Sequence, residues 1–321
     1  MLPAVPLWWR TLDTARAQRE IDRLGSGALE TDWGTRLLSR ESALYDPLSY
    51  HYGSVWPLFT GWVSMAAYRH GRPHVGYQAL MANALLTETG ALGSITELIS
   101  GEIDAPFGRS SHHQIWSQAM VASPLVRGLL GIELSKAGTL LTIAPQLPAD
   151  WPAVHVRRIA GLSLDIERTA QRYVMSLRAE GSGTPPALQL APALPLDATV
   201  RRVTINGRPY AFTVDREGDV QRVRVAIDRA SLPLRLEITH TAGTDIAFPV
   251  VAATAGADSE GLRILRVTPE RDAVVVRAEG PGQHSYAITV YHNGVPHPAT
   301  LTFEGSANAY SRRDIRLPVR R

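Results

Sequence analysis

The chain reads as a multi-domain α plus β protein: helical hairpins over residues 1–135, an antiparallel β-sandwich over 136–242, and a small β-rich segment over 243–321. Three observations predict this. Apolar residues recur at helical spacing in the first segment and alternate with a period of two afterwards. Glycine or proline punctuates the ends of the helical runs. Asn-Gly pairs at 206–207 and 293–294 mark tight hairpins in the later segments.

The first helix is expected over 11–24, with Leu12, Ala15, Ile21 and Leu24 on one side and Gly25 as its stop. A second spans 54–70, with Ser54 as N-cap and Pro57 in the first turn, where a missing N–H costs little. Gly71-Arg72-Pro73 turns the chain into a third helix, 75–89, ended by Gly90. A fourth runs over 112–130, capped by Gly131 and kinked at Pro124. The two long connections, 25–53 and 91–111, hold nearly all the unusual residues. Strands follow at 140–143, 162–166, 173–177 and 200–205, with 209–212 returning after Asn206-Gly207, and then at 220–227 and 234–238. Strands at 273–278 and 286–291 are compatible with either a small β module or an edge addition to the sandwich.

Composition describes an ordinary folded chain. It has 321 residues, 45% hydrophobic and 20% charged, enough for two or three cores. Of 33 basic residues only Lys136 is a lysine. Net charge is −2 before residue 136 and +5 after it, with arginines scattered along strands, which argues against nucleic acid as a partner. No cysteine is present, which excludes disulfides, thiolate metal sites and thiol nucleophiles. The start, Met1-Leu2-Pro3-Ala4-Val5-Pro6, lacks the basic end and apolar run of a signal peptide, so the expected setting is cytoplasmic. No apolar stretch reaches membrane-spanning length.

The chemistry concentrates in Ser49-Tyr50-His51-Tyr52-Gly53-Ser54-Val55-Trp56-Pro57 and, about forty residues on, Thr96-Glu97-Leu98. A sugar-cleaving site needs aromatic faces for pyranose rings, hydrogen-bonding groups for hydroxyls, and carboxylates for proton transfer. Tyr50 and His51 are candidates for sugar contact. Trp33, before a glycine in a loop, is a candidate stacking platform, whereas Trp56 and Trp116 sit at apolar helical spacing and read as core. Asp32 and Arg36 either pair with each other at the rim or hydrogen-bond a sugar. Glu102 either binds a hydroxyl or faces solvent. His112-His113 lacks a third ligand at metal-site spacing, so no metal is expected. There is no Gly-rich phosphate loop and no Gly-x-Ser-x-Gly elbow, so no cofactor is implied.

The segments Thr31-Asp32-Trp33-Gly34-Thr35-Arg36, Tyr45-Asp46-Pro47-Leu48-Ser49-Tyr50-His51-Tyr52-Gly53-Ser54-Val55-Trp56-Pro57, Thr96-Glu97-Leu98-Ile99-Ser100-Gly101-Glu102 and Gln114-Ile115-Trp116-Ser117-Gln118-Ala119 resemble the amylo-α-1,6-glucosidase (glycogen-debranching) family of glycoside hydrolases. The resemblance covers roughly residues 1–135 and weakens to about 240. It implies the last third of an (α/α)6 toroid and inverting hydrolysis of an oligosaccharide or polysaccharide. Glu97 matches the general base, and Asp32, Trp33, Arg36, His51 and Glu102 would line the subsite. The family's general acid lies on an earlier part of the barrel, so an N-terminal chain is implied as completing partner. A barrel cut in this way leaves apolar helix faces bare, with Leu58, Val63, Leu85, Leu86, Leu125 and Leu129 as candidates. Two other readings remain: a non-catalytic carbohydrate-binding or scaffolding protein, and a polysaccharide lyase with Tyr50 as base and His51 as acid.

Overall fold

The structure is a computed structural model that describes residues 3–181 and 186–319. Met1-Leu2, part of the leader reading, lies outside them. The fold is mixed α/β: five α-helices among the described residues, then strands in several sheets.

Helix α1 (Ala4–Trp8) was not foreseen, because two prolines mask its apolar face. Helix α2 (Thr14–Leu24) begins three residues later than expected, where Asp13 caps it by accepting from Arg16 N at 2.9 Å. Helix α3 (Pro57–Arg69) starts at its proline, so Ser54 is not the N-cap. Pro57 holds Trp56 extended, at φ −116° and ψ 118°, and the Ser54 hydroxyl is left to donate to Tyr50 O at 3.0 Å. Helix α4 (Pro73–Leu85) runs antiparallel to α3: Ser64 Oγ bonds Gly76 O at 2.7 Å and Asn83 Nδ2 bonds Pro57 O at 2.8 Å. Helix α5 (Ile115–Ser123) packs on α3 and continues through Pro124 as a π-helical turn over Pro124–Leu129, whose wider spacing absorbs the missing donor.

Three clusters bury half of the residues expected to be bare. Val63 joins Ala4, Leu7, Ile21, Leu24 and Val75 in one core, because α1 and α2 fold over α3. Leu86 packs with Trp33, Val55, Ile95 and Ile99 beneath the long loops, and Leu129 enters the core of the sheets. Leu58 and Leu85 are half-buried, and Leu125 is 38% exposed, beside Ile115 at 76% and Trp116 at 41%. Of the six residues expected to be bare, Leu125 alone is exposed, and Trp116 is not a core residue. These helices do not by themselves establish a toroid.

Two sheets follow, with one apolar core between them. One runs in the order Arg208–Pro209, Val200–Ile205, Leu234–His240, Arg172–Ala179, Leu162–Thr169, Ala153–Ile159, all antiparallel. The other runs Thr213–Glu217, Val220–Ile227, Ala187–Leu190, Leu140–Ile143, Ile132–Ser135. The expected all-antiparallel pattern fails at one place, where Leu140–Ile143 and Ala187–Leu190 pair in parallel. Leu164, Ile166, Met175, Leu177, Leu236 and Ile238 from one sheet meet Leu141, Ile143, Leu188, Leu190, Val223 and Val225 from the other. Asn206 and Gly207, at φ 49° and 80°, form the expected turn. The returning strand stops after Pro209, which cannot donate to the ladder, and the chain joins the other sheet at Thr213.

Beyond residue 243 the chain forms two further sheets. Thr244–Ala247, Ser285–His292 and Val295–Thr302 form one three-stranded sheet, and Arg263–Pro269, Ala273–Pro281 and Tyr310–Pro318 form another. Ile246, Ile264, Val274, Val276, Ile288, Val290, Leu301 and Phe303 from these strands, here termed the C-terminal module, form a core of their own.

Gly71, in the α3–α4 turn, sits at φ +66°, and a Cβ there would lie 1.9 Å from Glu217 O. Gly71→Ala is expected to destabilise the protein by at least about 1–2 kcal/mol, the cost of the left-handed conformation alone. Urea unfolding midpoints check this, and an unchanged midpoint would contradict the close approach.

Candidate active site

The two long loops are brought together by a short three-strand arrangement under the helix ends. Arg36 bridges Val55, and Val55 bridges Ile99, with Val55 N to Ile99 O and Ile99 N to Val55 O both at 2.9 Å. Further on, Gly101 N donates to Pro47 O at 2.9 Å, and a Cβ at Gly101 would lie 2.1 Å from Gly53 O. The small residues at 53 and 101 thus allow the loops to touch. Trp33, Val55, Leu86, Ile95 and Ile99 form the apolar floor.

Glu97 stands on this frame. Its backbone N–H donates to Ser111 O at 2.8 Å, and the Ser111 N–H donates back to its Oε2 at 3.4 Å. Its Oε1 accepts the Tyr50 hydroxyl at 2.7 Å. Glu97 is 9% exposed, whereas Tyr50 is 39% and Tyr52 54% exposed. Tyr50 is held edge-on by His51 and Trp56, each with ring centroids 4.8 Å away, while His51 lies parallel to Trp56 at 5.9 Å. Trp56 fixes the loop in turn, because its Nε1 donates to Tyr50 O at 3.0 Å. The hydrogen bond to Glu97 pushes the Tyr50 hydroxyl above its usual pKa, aided by desolvation and by the carboxylate charge and opposed by Arg109. The arrangement is one carboxylate with a fixed oxygen at the edge of an open aromatic surface.

The other expected site residues lie elsewhere. Trp33 is 1% exposed and its Nε1 donates to Ser100 O at 2.8 Å, so it is floor and offers no open ring face. Arg36, 2% exposed, donates to Gly101 O at 2.6 Å and Gly27 O at 3.0 Å, and burial pulls its pKa down. It does not pair with Asp32. Asp32 instead accepts from Arg263 Nη2 at 2.6 Å and from the backbone of Glu260 and Gly261, tying the loop to the C-terminal module. Glu102 is half-exposed and takes bonds from Arg40 and the Tyr45 hydroxyl, each at 3.2 Å. The frame therefore unites Glu97, Tyr50 and His51, places Glu102 on the neighbouring turn, and commits Asp32, Trp33 and Arg36 to partners within the fold. Sequence reasoning missed Arg109 and the backbone of Ser111; the only signal was their place in the Gly108-Arg109-Ser110-Ser111 run that answers Thr96-Glu97-Leu98. Among the described residues, no group of three or more metal-ligating side chains converges.

Below the frame, Glu30 is buried, with Thr35 Oγ1 donating to its Oε2 at 2.6 Å and Oε1 left without a partner. Desolvation raises its pKa to about 7, against Thr35, Arg263 and Arg36. A raised folded-state value means the folded protein holds this proton more tightly than the unfolded chain. The associated stability is present below the unfolded value and lost as pH rises through about 7. Thermal melting should fall between about pH 5 and about pH 8 by the equivalent of about 3 kcal/mol, and Glu30→Gln should flatten that slope. An equal slope in the variant would contradict the assignment.

No protein-family profile matches the chain, and no curated protein matches its sequence. Among solved structures it is similar to protein lmo2446 from Listeria monocytogenes EGD-e, solved with α-D-glucose, β-D-glucose, magnesium and calcium, at 10% identity and a TM-score of 0.27 over 82% of this chain and 33% of that one. It is also similar to the cycloalternan-forming enzyme from Listeria monocytogenes in complex with a pentasaccharide substrate, at 9% identity and a TM-score of 0.28 over 82% and 33%. A third is the GH127 β-L-arabinofuranosidase Ara127N from Geobacillus stearothermophilus T6, at 10% identity and a TM-score of 0.29 over 83% and 47%. None of these three is a debranching enzyme by name. The chain spans about a third to a half of the length of these proteins, and at such TM-scores the functional reading rests on the site itself.

Proposed function

We propose that this chain is the C-terminal portion of an inverting glycoside hydrolase of debranching type, acting in the cytoplasm on an α-glucan or related oligosaccharide. The observation that supports it is the Glu97 carboxylate, fixed by the Tyr50 hydroxyl at 2.7 Å beside exposed aromatic rings. In this reading Glu97 accepts a proton from a water on one face of the sugar ring. A carboxylic acid on a preceding segment outside this chain protonates the glycosidic oxygen from the other side, roughly 6.5–9.5 Å away. Tyr50 positions Glu97, His51 and Tyr52 meet the sugar, and Glu102 accepts from a hydroxyl at the rim.

One observation favours a second reading, a carbohydrate-binding protein without turnover: two of the carboxylates near Glu97 are tied up in ion pairs, Asp32 with Arg263 and Glu102 with Arg40. The lyase reading is weakened, because the bond to Glu97 that raises the Tyr50 pKa disfavours the tyrosinate a lyase base requires. The polypeptide isolated at its native size from source cells should release reducing sugar from α-linked oligosaccharides. Binding without release would favour the second reading, and an ultraviolet-absorbing unsaturated product from a uronate polymer would favour the third.

A further inference from the structure

A cleft separate from Glu97 lies where the shared-core sheets meet the C-terminal module. It encloses about 350 Å³ between the 147–152 loop, the 168–173 turn, and residues 240–245 and 291–294. That size is within the range of small-ligand sites. Its closure is built in: a Cβ at Gly294 would lie 2.2 Å from Ala170 Cβ, so the module's hairpin turn abuts the turn of the larger sheet.

The polar groups lining the cleft divide sharply. Its two guanidinium groups are spent. Arg168 donates to Trp151 O at 3.0 Å and also to Pro148 O, while Arg172 is paired with Glu237 at 2.8 Å. The groups left over mainly accept. Asp150 is exposed and makes no ion pair or hydrogen bond among the described residues. Asp245 Oδ1 bonds His74 Nε2 and Ile246 N, which leaves Oδ2. His240 sends its Nδ1–H to Thr241 O at 2.8 Å, so Nε2 presents a lone pair, and burial holds the ring's pKa down. Tyr173, 1% exposed, also borders the cleft, and its hydroxyl is buried without a hydrogen-bond partner. Trp151 and Tyr291 are half-buried, with Trp151 held edge-on by Tyr77 at 6.3 Å.

Unspent acceptors beside aromatic faces suit a ligand with several hydroxyl donors and an apolar face. We infer that this cleft is a second binding site, for a neutral saccharide of roughly one or two rings. It stands on groups separate from Glu97 and does not depend on hydrolysis there.

The test uses the full chain with maltotriose, cellotriose and, as a cationic control, tetramethylammonium, followed by saturation-transfer NMR and calorimetry. At least one trisaccharide should bind. Asp150→Asn, at an exposed and unpaired position, and Tyr291→Leu should each weaken that binding by about tenfold. Circular dichroism verifies that the variants fold. No trisaccharide binding at millimolar concentration, binding of the cation alone, or binding lost in Glu97→Gln and kept in Asp150→Asn would each overturn the inference. Failure of the hydrolase reading is separate, since it shows as absent turnover with the cleft still occupied.

Discussion

Glu97→Gln in the native polypeptide is expected to lower kcat on α-linked oligosaccharides by about 10²–10⁴-fold, the usual contribution of a general base, with little change in KM. The one other contact it changes is the long bond from Ser111 N–H at 3.4 Å, whose acceptor oxygen becomes an NH2 group. A glutamine Oε1 still accepts the Tyr50 hydroxyl, which lies 2.7 Å from the carboxylate, and the backbone bond to Ser111 at 2.8 Å is untouched. The melting temperature should therefore stay where it is. Tyr50→Phe removes the positioning bond but keeps the ring against Trp56 and His51, so kcat should fall by only about tenfold. Steady-state kinetics beside thermal melting separates these outcomes. Near wild-type turnover in Glu97→Gln would remove it as the base.

The largest effect on stability is expected at Arg72. Its side chain is fully buried and joins four parts of the chain: Nε bonds Asp219 at 3.1 Å, Nη2 bonds Asp22 at 2.6 Å and also Leu265 O, and Nη1 bonds Gln18 Oε1 at 2.8 Å. Helix α2, the α3–α4 turn, the larger sheets and the C-terminal module thus share one guanidinium. Burial already raises the Asp219 pKa, with Arg72 the main group opposing it. Arg72→Met leaves that carboxylate buried without its partner and should cost about 3–5 kcal/mol, a large part of an ordinary stability. Adding Asp219→Asn should recover part of the loss, as coupled neighbours do. Urea unfolding measures both. A loss below about 1 kcal/mol would mean the junction is not energetically shared.

How much was legible depended on whether the signal was local. The strands at 140–143, 200–205 and 220–227 have the bounds that alternation implies, and Asn206-Gly207 and Asn293-Gly294 turn as their φ demands predict. Glu97, Tyr50 and His51 draw notice in the sequence because residue types suited to sugar chemistry fall on two loops, and the structure brings those loops together. Helix starts were less legible: Ser54 has cap chemistry, but the proline three residues on sets the boundary. The fates of Asp32 and Arg36 could not be read at all, because their partners are 231 residues away for Asp32 and backbone carbonyls for Arg36. Trp33 looked open because it precedes a glycine, yet Gly34 at φ +134° folds the ring under the loops. Burial of Val63 and Leu129 depends on which elements fold over α3, a tertiary fact with no local trace.

The most direct measurement is proton NMR of the first sugar released from an α-linked glucan oligosaccharide by the native polypeptide, read before mutarotation. Inverting hydrolysis with Glu97 as base predicts the β-anomer, appearing at the wild-type rate and lost in Glu97→Gln. Release of the α-anomer, or undiminished release by the variant, would contradict the account.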